Sequence, residues 1–258
     1  MKIATWNINS IKMRLPHVLT WLESAKPDVL CLQEIKCATE EFPTLELKGL
    51  GYHALVSGQK AYNGVALLTR EAVRDPELGL PGDPGDAQAR YIEATIGDVR
   101  VASIYLPNGN PTTSDKFPYK LAWMERLALR ARALLESEMP VVLAGDYNVC
   151  PTDADVYDPE GWREDALCRR ETRARFRTIL NFGYTDAFRI FHPEPHRYSF
   201  WDYQAGRWMR DEGLRIDHLL LSPQAADRVI AVDIDKEPRA RDKASDHTPV
   251  WCELSTAR

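Results

Sequence analysis

Five short stretches of the 258-residue chain put carboxylates, amides or a histidine at the end of an apolar run. They are WNIN (6–9), LQE (32–34), GDYN (145–148), RID (215–217) and SDH (245–247). Residues i and i+2 of a strand point to the same side. Asn7 and Asn9 are therefore expected on one side of their strand, and Asp146 and Asn148 on one side of theirs. LCLQE ends its apolar run on Gln33 and Glu34. Asp217 falls in line with Leu219 and Leu221, a face where an unpaired carboxylate is costly. Each stretch alone also reads as turn chemistry, because Ser, Asp and Asn cap turns through side-chain to backbone bonds. Ser245, Asp246 and His247 do not form a serine triad, since adjacent residues project differently and triads are assembled from distant segments.

Together these groups fit one chemistry, the metal-dependent hydrolysis of a phosphodiester. Mg²⁺ takes oxygen ligands and keeps several waters, so one or two carboxylates and an amide suffice to hold it. A second carboxylate can orient a histidine through its ring nitrogen. Another can position or deprotonate the attacking water.

The segments that must position these groups are mostly short β-like runs. They include KIATWNI, DVLCLQE, YHALVS, GVALLTR, ARYIEATI, VRVASIYL, PVVLAGDYN, RYSFWDY, RIDHLLLS, VIAVDID and PVWCEL. Two of them flank Gly97-Asp98, a hairpin signal. Helices are predicted over residues 12–25, 115–137 and 163–182. The second opens at Ser114 or Asp115 with Pro118 in its first turn, and the third ends at Gly183 as a left-handed cap. Many strands with few long helices predict an α+β layered sandwich. No linker divides residues 1–258, so one domain is expected. IATWNIN and VLAGDYN echo one another as apolar runs ending on Asn.

Composition is that of a soluble globular protein, with 44% hydrophobic and 28% charged residues. No run approaches transmembrane length, and MKIATWNINS shows no export leader, so a cytoplasmic protein without membrane association is expected. The five cysteines form no C-x-x-C pair and read as buried free thiols. A formal charge of −5 leaves any contact with nucleic acid to local Arg/Lys patches. Nothing calls for an obligate oligomer, and a monomer is expected.

WNIN, LQE, YLPNG, GDYN, SFWDY, LRID and SDH, in this order, resemble the endonuclease/exonuclease/phosphatase superfamily. SFWDY, LRID and KFPYK resemble its exonuclease III branch of abasic-site endonucleases, in the bacterial form. The resemblance spans residues 2 to about 254 and implies a four-layer, deoxyribonuclease-I-like sandwich. In that fold two mainly antiparallel sheets pack face to face, with helices outside and the site on one edge. It implies Glu34 as main metal ligand beside Asn7, with Asp246 binding metal directly or through water. Asp146 would position or activate the water and Asn148 would orient it, both near enough to join the metal set. His247, held by Asp217, would contact the scissile phosphate and is counted by the resemblance with the metal ligands as well; Tyr105 and Asn108 would bind phosphate oxygens. The implied cofactor is Mg²⁺, with Mn²⁺ as a substitute. Asn9 stands where animal relatives resemble an Asp, and Leu214 where they resemble a Trp. No N-terminal regulatory extension is expected.

The implied substrate is double-stranded DNA with abasic sites or 3′ ends. Phe200, Trp201 and Leu214 offer an apolar pocket for a sugar lacking its base. Arg90, Lys60 and Lys116 lie where phosphate contacts would hold a duplex without reading sequence. RRETRARFR (169–177) is a weaker backbone-contact candidate, and GRWMRDEG (206–213) suits a loop that wedges into a duplex. Two other readings compete, a hydrolase of small or lipid phosphoesters and a DNA-binding module whose site has decayed. The intact set of Glu34, Asp146, Asp217 and His247 argues against decay.

Overall fold

Central strands of this protein are apolar on both faces because each is covered twice. In KIATWN, Ile3 enters one apolar layer while Ala4 and Trp6 enter another. Such double coverage turns the half-buried alternation of a surface strand into a nearly continuous apolar run. The computed structural model describes residues 1–255. Its strands are β1 (Lys2–Asn7), β2 (Val29–Gln33), β3 (His53–Ser57), β4 (Val65–Thr69), β5 (Arg74–Leu78) and β6 (Tyr91–Ile96). They continue with β7 (Val99–Tyr105), β8 (Val141–Asp146), β9 (Thr185–Asp186), β10 (Asp217–Leu221), β11 (Val229–Ile234) and β12 (Val250–Leu254). The helices are α1 (Ile11–Ala25), α2 (Thr44–Gly49), α3 (Lys116–Leu135), α4 (Arg170–Asn181), α5 (Ala187–Phe191) and α6 (Pro223–Ala226).

Two six-stranded sheets result, ordered β11-β12-β1-β2-β4-β3 and β5-β6-β7-β8-β10-β9. Each has one parallel pair, β1 with β2 and β7 with β8, and is otherwise antiparallel. Ile3, Cys31, Leu67, Val101, Val142 and Leu219 belong to the layer between the sheets. Helix α1 covers the first sheet through Val18, Trp21 and Leu22. Helices α3 and α4 cover the second through Trp123, Met124, Leu127, Phe176 and Ile179. Each fully buried Leu, Ile or Val contributes about 1.5–3 kcal/mol. The expected four-layer α+β sandwich is what forms. Among the described residues no helix is long and apolar enough to cross a membrane. All five cysteines are free and buried.

The Gly97-Asp98 turn joins β6 and β7 with Ile96 opposite Val99, and Gly97 takes the positive φ of 58° that such a turn requires. Helix α4 begins at Arg170, seven residues after the expected 163. Turns occupy the intervening residues, tied by Asp158 and Asp165 side chains to nearby backbone N–H groups. Gly183 follows with φ 119°. Ser114, rather than Asp115, offers its hydroxyl to the N–H of Lys116 at the start of α3. RYSFWDY is not a strand, since only Phe200 forms isolated bridges, to Leu214 and His247. Strand β5 (RDPEL) is wholly exposed at a sheet edge and carries no apolar pattern to announce it.

Candidate active site

The two sheets bring the ends of six strands to one edge. From the first come Asn7 at the end of β1, Glu34 after β2, and Ser245-Asp246-His247 ahead of β12. From the second come Tyr105 ending β7, Asp146 ending β8, and Asp217 opening β10. Gly145 is required here, because a Cβ at that position would collide with the carbonyl of Ile104 on the neighbouring parallel strand. Directly after these strands the backbone turns sharply. Asn9, Glu34 and Asn148 adopt φ of 45°, 51° and 47°, a left-handed conformation costing about 1–2 kcal/mol for a non-glycine residue. Asn9 and Asn148 thus reach the site through tight turns and not through strand alternation.

Asn7 joins the two sheets. Its Nδ2 donates to Glu34 Oε1 at 2.8 Å and to Asp146 Oδ2 at 2.9 Å. Its Oδ1 accepts from the Asn9 backbone N–H at 3.0 Å. The echoed motifs IATWNIN and VLAGDYN therefore meet, end to end, across the sandwich. Glu34 Oε2 faces Lys36 Nζ at 2.8 Å, and the same ammonium reaches Asn9 Oδ1 at 2.6 Å. Burial works against the charge on Glu34, yet Lys36 and Asn7 hold its carboxyl below the usual range. Asp246 Oδ1 accepts from Asn9 Nδ2 at 3.1 Å. Ser245 donates its hydroxyl to Asn7 O at 2.7 Å and so fastens the His247 loop to β1.

His247 is buried between carboxylates. Its Nδ1 donates to Asp217 Oδ2 at 2.8 Å, and its Nε2 lies 3.7 Å from Asp146 Oδ2. Ser199 secures Asp217 from the other side, its hydroxyl donating at 2.6 Å while accepting the N–H groups of Ile216 and Asp217. Burial alone would lower the imidazole pKa, but Asp217 and Asp146 outweigh it and push it up to about 10. Asp146 is pushed up to about 7 by burial and by Asp217, against the pull of His247. The trio of Asp146, Asp217 and His247 has the spacing of a metal cluster. Asp217, however, is already engaged by His247 and Ser199, so we read Asp217 and His247 as a hydrogen-bonded pair with Asp146 facing the ring across 3.7 Å.

Asn148 donates from its backbone N–H to Asp146 Oδ1 at 2.9 Å and from Nδ2 to Leu106 O at 2.9 Å. Asn108 Nδ2 donates to Asn148 Oδ1 at 3.0 Å. Tyr105 lies under the Arg90 guanidinium, 4.6 Å from the ring centroid, and burial followed by Glu34 raises its phenol well above the ordinary value. These groups line a cavity of about 270 Å³ with Phe200, Leu214 and Ile216.

Not every expected contact is there. Trp201 is fully buried and points away, its Nε1 donating to Asp211 Oδ1 at 2.9 Å and its ring packed on Trp208. Successive residues of an extended chain face opposite sides, so only Phe200, whose ring centroid lies 4.9 Å from that of His247, enters the cavity beside Leu214. Arg90 and Lys116 line an adjoining cavity together with Asn108. Lys60 is exposed and lines neither. In the basic run, Arg173 and Arg175 are paired with Asp153 and Glu125, and Arg169 lies near Glu164. Sequence reasoning missed Trp162 and Asp165, which also line the site. No pattern marks them, because they sit in turns between elements.

The chain matches the model of the Endonuclease/Exonuclease/phosphatase family over residues 4–247 and belongs to that family of metal-dependent hydrolases. Within it the chain falls in the exonuclease III and AP endonuclease branch and is a DNA-repair nuclease. It is 36% identical to exodeoxyribonuclease III of Haemophilus influenzae, covering 98% of this chain and all of that protein, 100%. Its fold superposes on a 3′ phosphatase (NExo) from Neisseria bound to a product DNA hairpin with TM-score 0.97 and 43% identity, over 99% of this chain and 100% of the other. An AP endonuclease from Archaeoglobus fulgidus gives TM-score 0.96 at 36% identity, over 99% and 100% of the two chains.

Proposed function

We propose that the chain incises duplex DNA on the 5′ side of an abasic nucleotide, leaving a 3′-hydroxyl, and also trims or dephosphorylates 3′ ends. The observation that carries this reading is the pairing of a buried carboxylate, Asp146, with the buried imidazole of His247 across 3.7 Å beside an apolar wall. Asp146 takes the proton of the attacking water as its oxygen bonds to phosphorus, and Asn148 orients that water. As that bond forms, negative charge grows on the phosphoryl oxygens, where His247, Tyr105 and Asn108 donate; the P–O3′ bond then breaks and O3′ takes a proton from solvent water to become the 3′-hydroxyl. Asp217 keeps the imidazole protonated and turned toward the phosphate. Phe200 and Leu214 accept the baseless sugar, and Arg90 and Lys116 hold the flanking backbone.

The donors that would hold a metal, Glu34 and Asp246 with Asp146 nearby, are all oxygens, which suits Mg²⁺ or Mn²⁺. Glu34 already carries a cation, the Lys36 ammonium, on its free oxygen. A bound divalent ion would neutralise phosphate charge and stabilise the leaving oxygen. Asn7 directs its amide nitrogen at Glu34 and Asp146, so it serves as their spacer.

The test is incubation with Mg²⁺ and a duplex bearing one tetrahydrofuran abasic analogue, beside an intact duplex, a 3′-phosphorylated duplex and an inositol phosphate. EDTA-sensitive cutting 5′ of the analogue supports the reading. Turnover of inositol phosphate alone, or binding without turnover, would overturn it. Size-exclusion with light scattering checks the monomer that we take as the working form.

A further inference from the structure

Helix α3 turns Phe117, Trp123, Met124, Leu127 and Leu134 into the protein interior, and Lys120 is buried among them with no exposed surface. A lysine is almost never buried without a partner, because its ammonium loses its hydration. No carboxylate lies within ion-pair distance of this one among the described residues. Its Nζ donates instead to two backbone carbonyls, Asn108 O at 2.9 Å and Asn148 O at 2.6 Å.

The two carbonyls belong to different loops. One follows β7 and carries Asn108; the other follows β8 and carries Asn148. On the cavity side the same residues are joined by the 3.0 Å bond from Asn108 Nδ2 to Asn148 Oδ1. The loops are thus linked twice, through side chains in front and through Lys120 behind. Gly109, with φ 90°, lets the first loop fold against the lysine stem, since a Cβ there would lie 2.6 Å from Lys120 Cδ. Asn148 adopts its left-handed φ of 47° with its carbonyl on this ammonium.

We propose that Lys120 is a positioning residue that locks the Asn108 and Asn148 loops in one register, so that both amides meet the phosphate and its attacking water together. The inference rests on the phosphodiesterase reading of the cavity. Filling the space alone would call for Leu or Met, which need no hydrogen bonds. Lysine instead supplies the two charge-assisted bonds to Asn108 O and Asn148 O that neither of those side chains could make.

The experiment compares wild type, Lys120→Met, Asn148→Ala and the double variant on the abasic-analogue duplex with Mg²⁺. Enzyme is counted by active-site titration, and melting is followed in parallel. Lys120→Met is expected to lower kcat by about 10- to 100-fold, the range for a misaligned transition-state donor, with KM changed by less than about threefold. Because Lys120 acts through Asn148, the double variant should lose little more than the worse single variant. Wild-type kcat in Lys120→Met, or fully additive losses in the double variant, would overturn the proposal. Lys120→Gln, measured in the same way, decides the matter should the Met variant fail to fold. Absence of cutting by the wild type would instead remove the reading of the site.

Discussion

Asp217 holds His247 from behind at 2.8 Å, and is itself held by the Ser199 hydroxyl at 2.6 Å. The imidazole therefore has its orientation and its proton fixed before substrate arrives. Asp217 and Asp146 both pull its pKa up, against burial, to about 10, which favours the protonated ring.

The pH profile should report both partners. Asp146 must be ionised to act as base, so kcat/KM is expected to rise as pH climbs through about 7. It should fall again as the His247 proton is lost near 10. These limbs belong to the coupled pair. Asp217→Asn removes the nearest carboxylate, so the alkaline limb should move down by about one to three pH units. An unmoved limb would assign it to another group.

Metal dependence should localise to Glu34. In Glu34→Gln the carboxylate charge is lost while the bond from Asn7 can persist. Incision is expected to fall by about 100-fold or more, in the range of a lost transition-state electrostatic contact, and to need far more Mg²⁺ for half-maximal rate. A magnesium titration of both proteins checks this. An unchanged half-maximal concentration would place the metal elsewhere.

Asp155 is buried against Arg215 and Arg189. Burial disfavours its charge, but the two guanidinium groups hold the carboxyl well below the usual range. Its contribution to stability is therefore complete above the ordinary carboxylate pKa and lost as pH falls toward the depressed one. Asp155→Asn should destabilise by about 3 kcal/mol at neutral pH, because it leaves Arg215 buried with only Asp186. Urea midpoints at pH 7 and pH 3 test both statements, and the gap between variant and wild type should shrink at the lower pH.

Met209 is 85% exposed on the 206–213 loop, while Trp208 behind it packs on Trp201. Met209→Ala should weaken binding to abasic duplex by about 1 kcal/mol, roughly fivefold in Kd, without altering the melting temperature. Equal affinity would exclude an insertion role.

The chemistry was legible because it sits at strand ends, where a polar residue interrupts an apolar run. Glu34, Asp146, Asp217 and His247 could be read in that way, and the family motifs tied them together. Trp201 was misjudged because adjacent aromatics look alike in sequence, while the direction of each depends on an extended segment that no periodicity outlined. Ser199 stood in the SFWDY motif without a legible role, since that role arises from a contact with β10. Lys120 did leave a trace, a cation on the buried stripe of α3, but its meaning depends on two loops far from it in the chain. The exposed edge strand β5 offers no apolar face to read.

The double reach of Asn7, to Glu34 on its own sheet and Asp146 on the other, has a consequence for the cell. Neither half of the sandwich owns a complete set of reactive groups. A nascent or proteolysed chain holding one folded sheet would be inert toward the genome. The cutting site is complete only when both sheets are packed together.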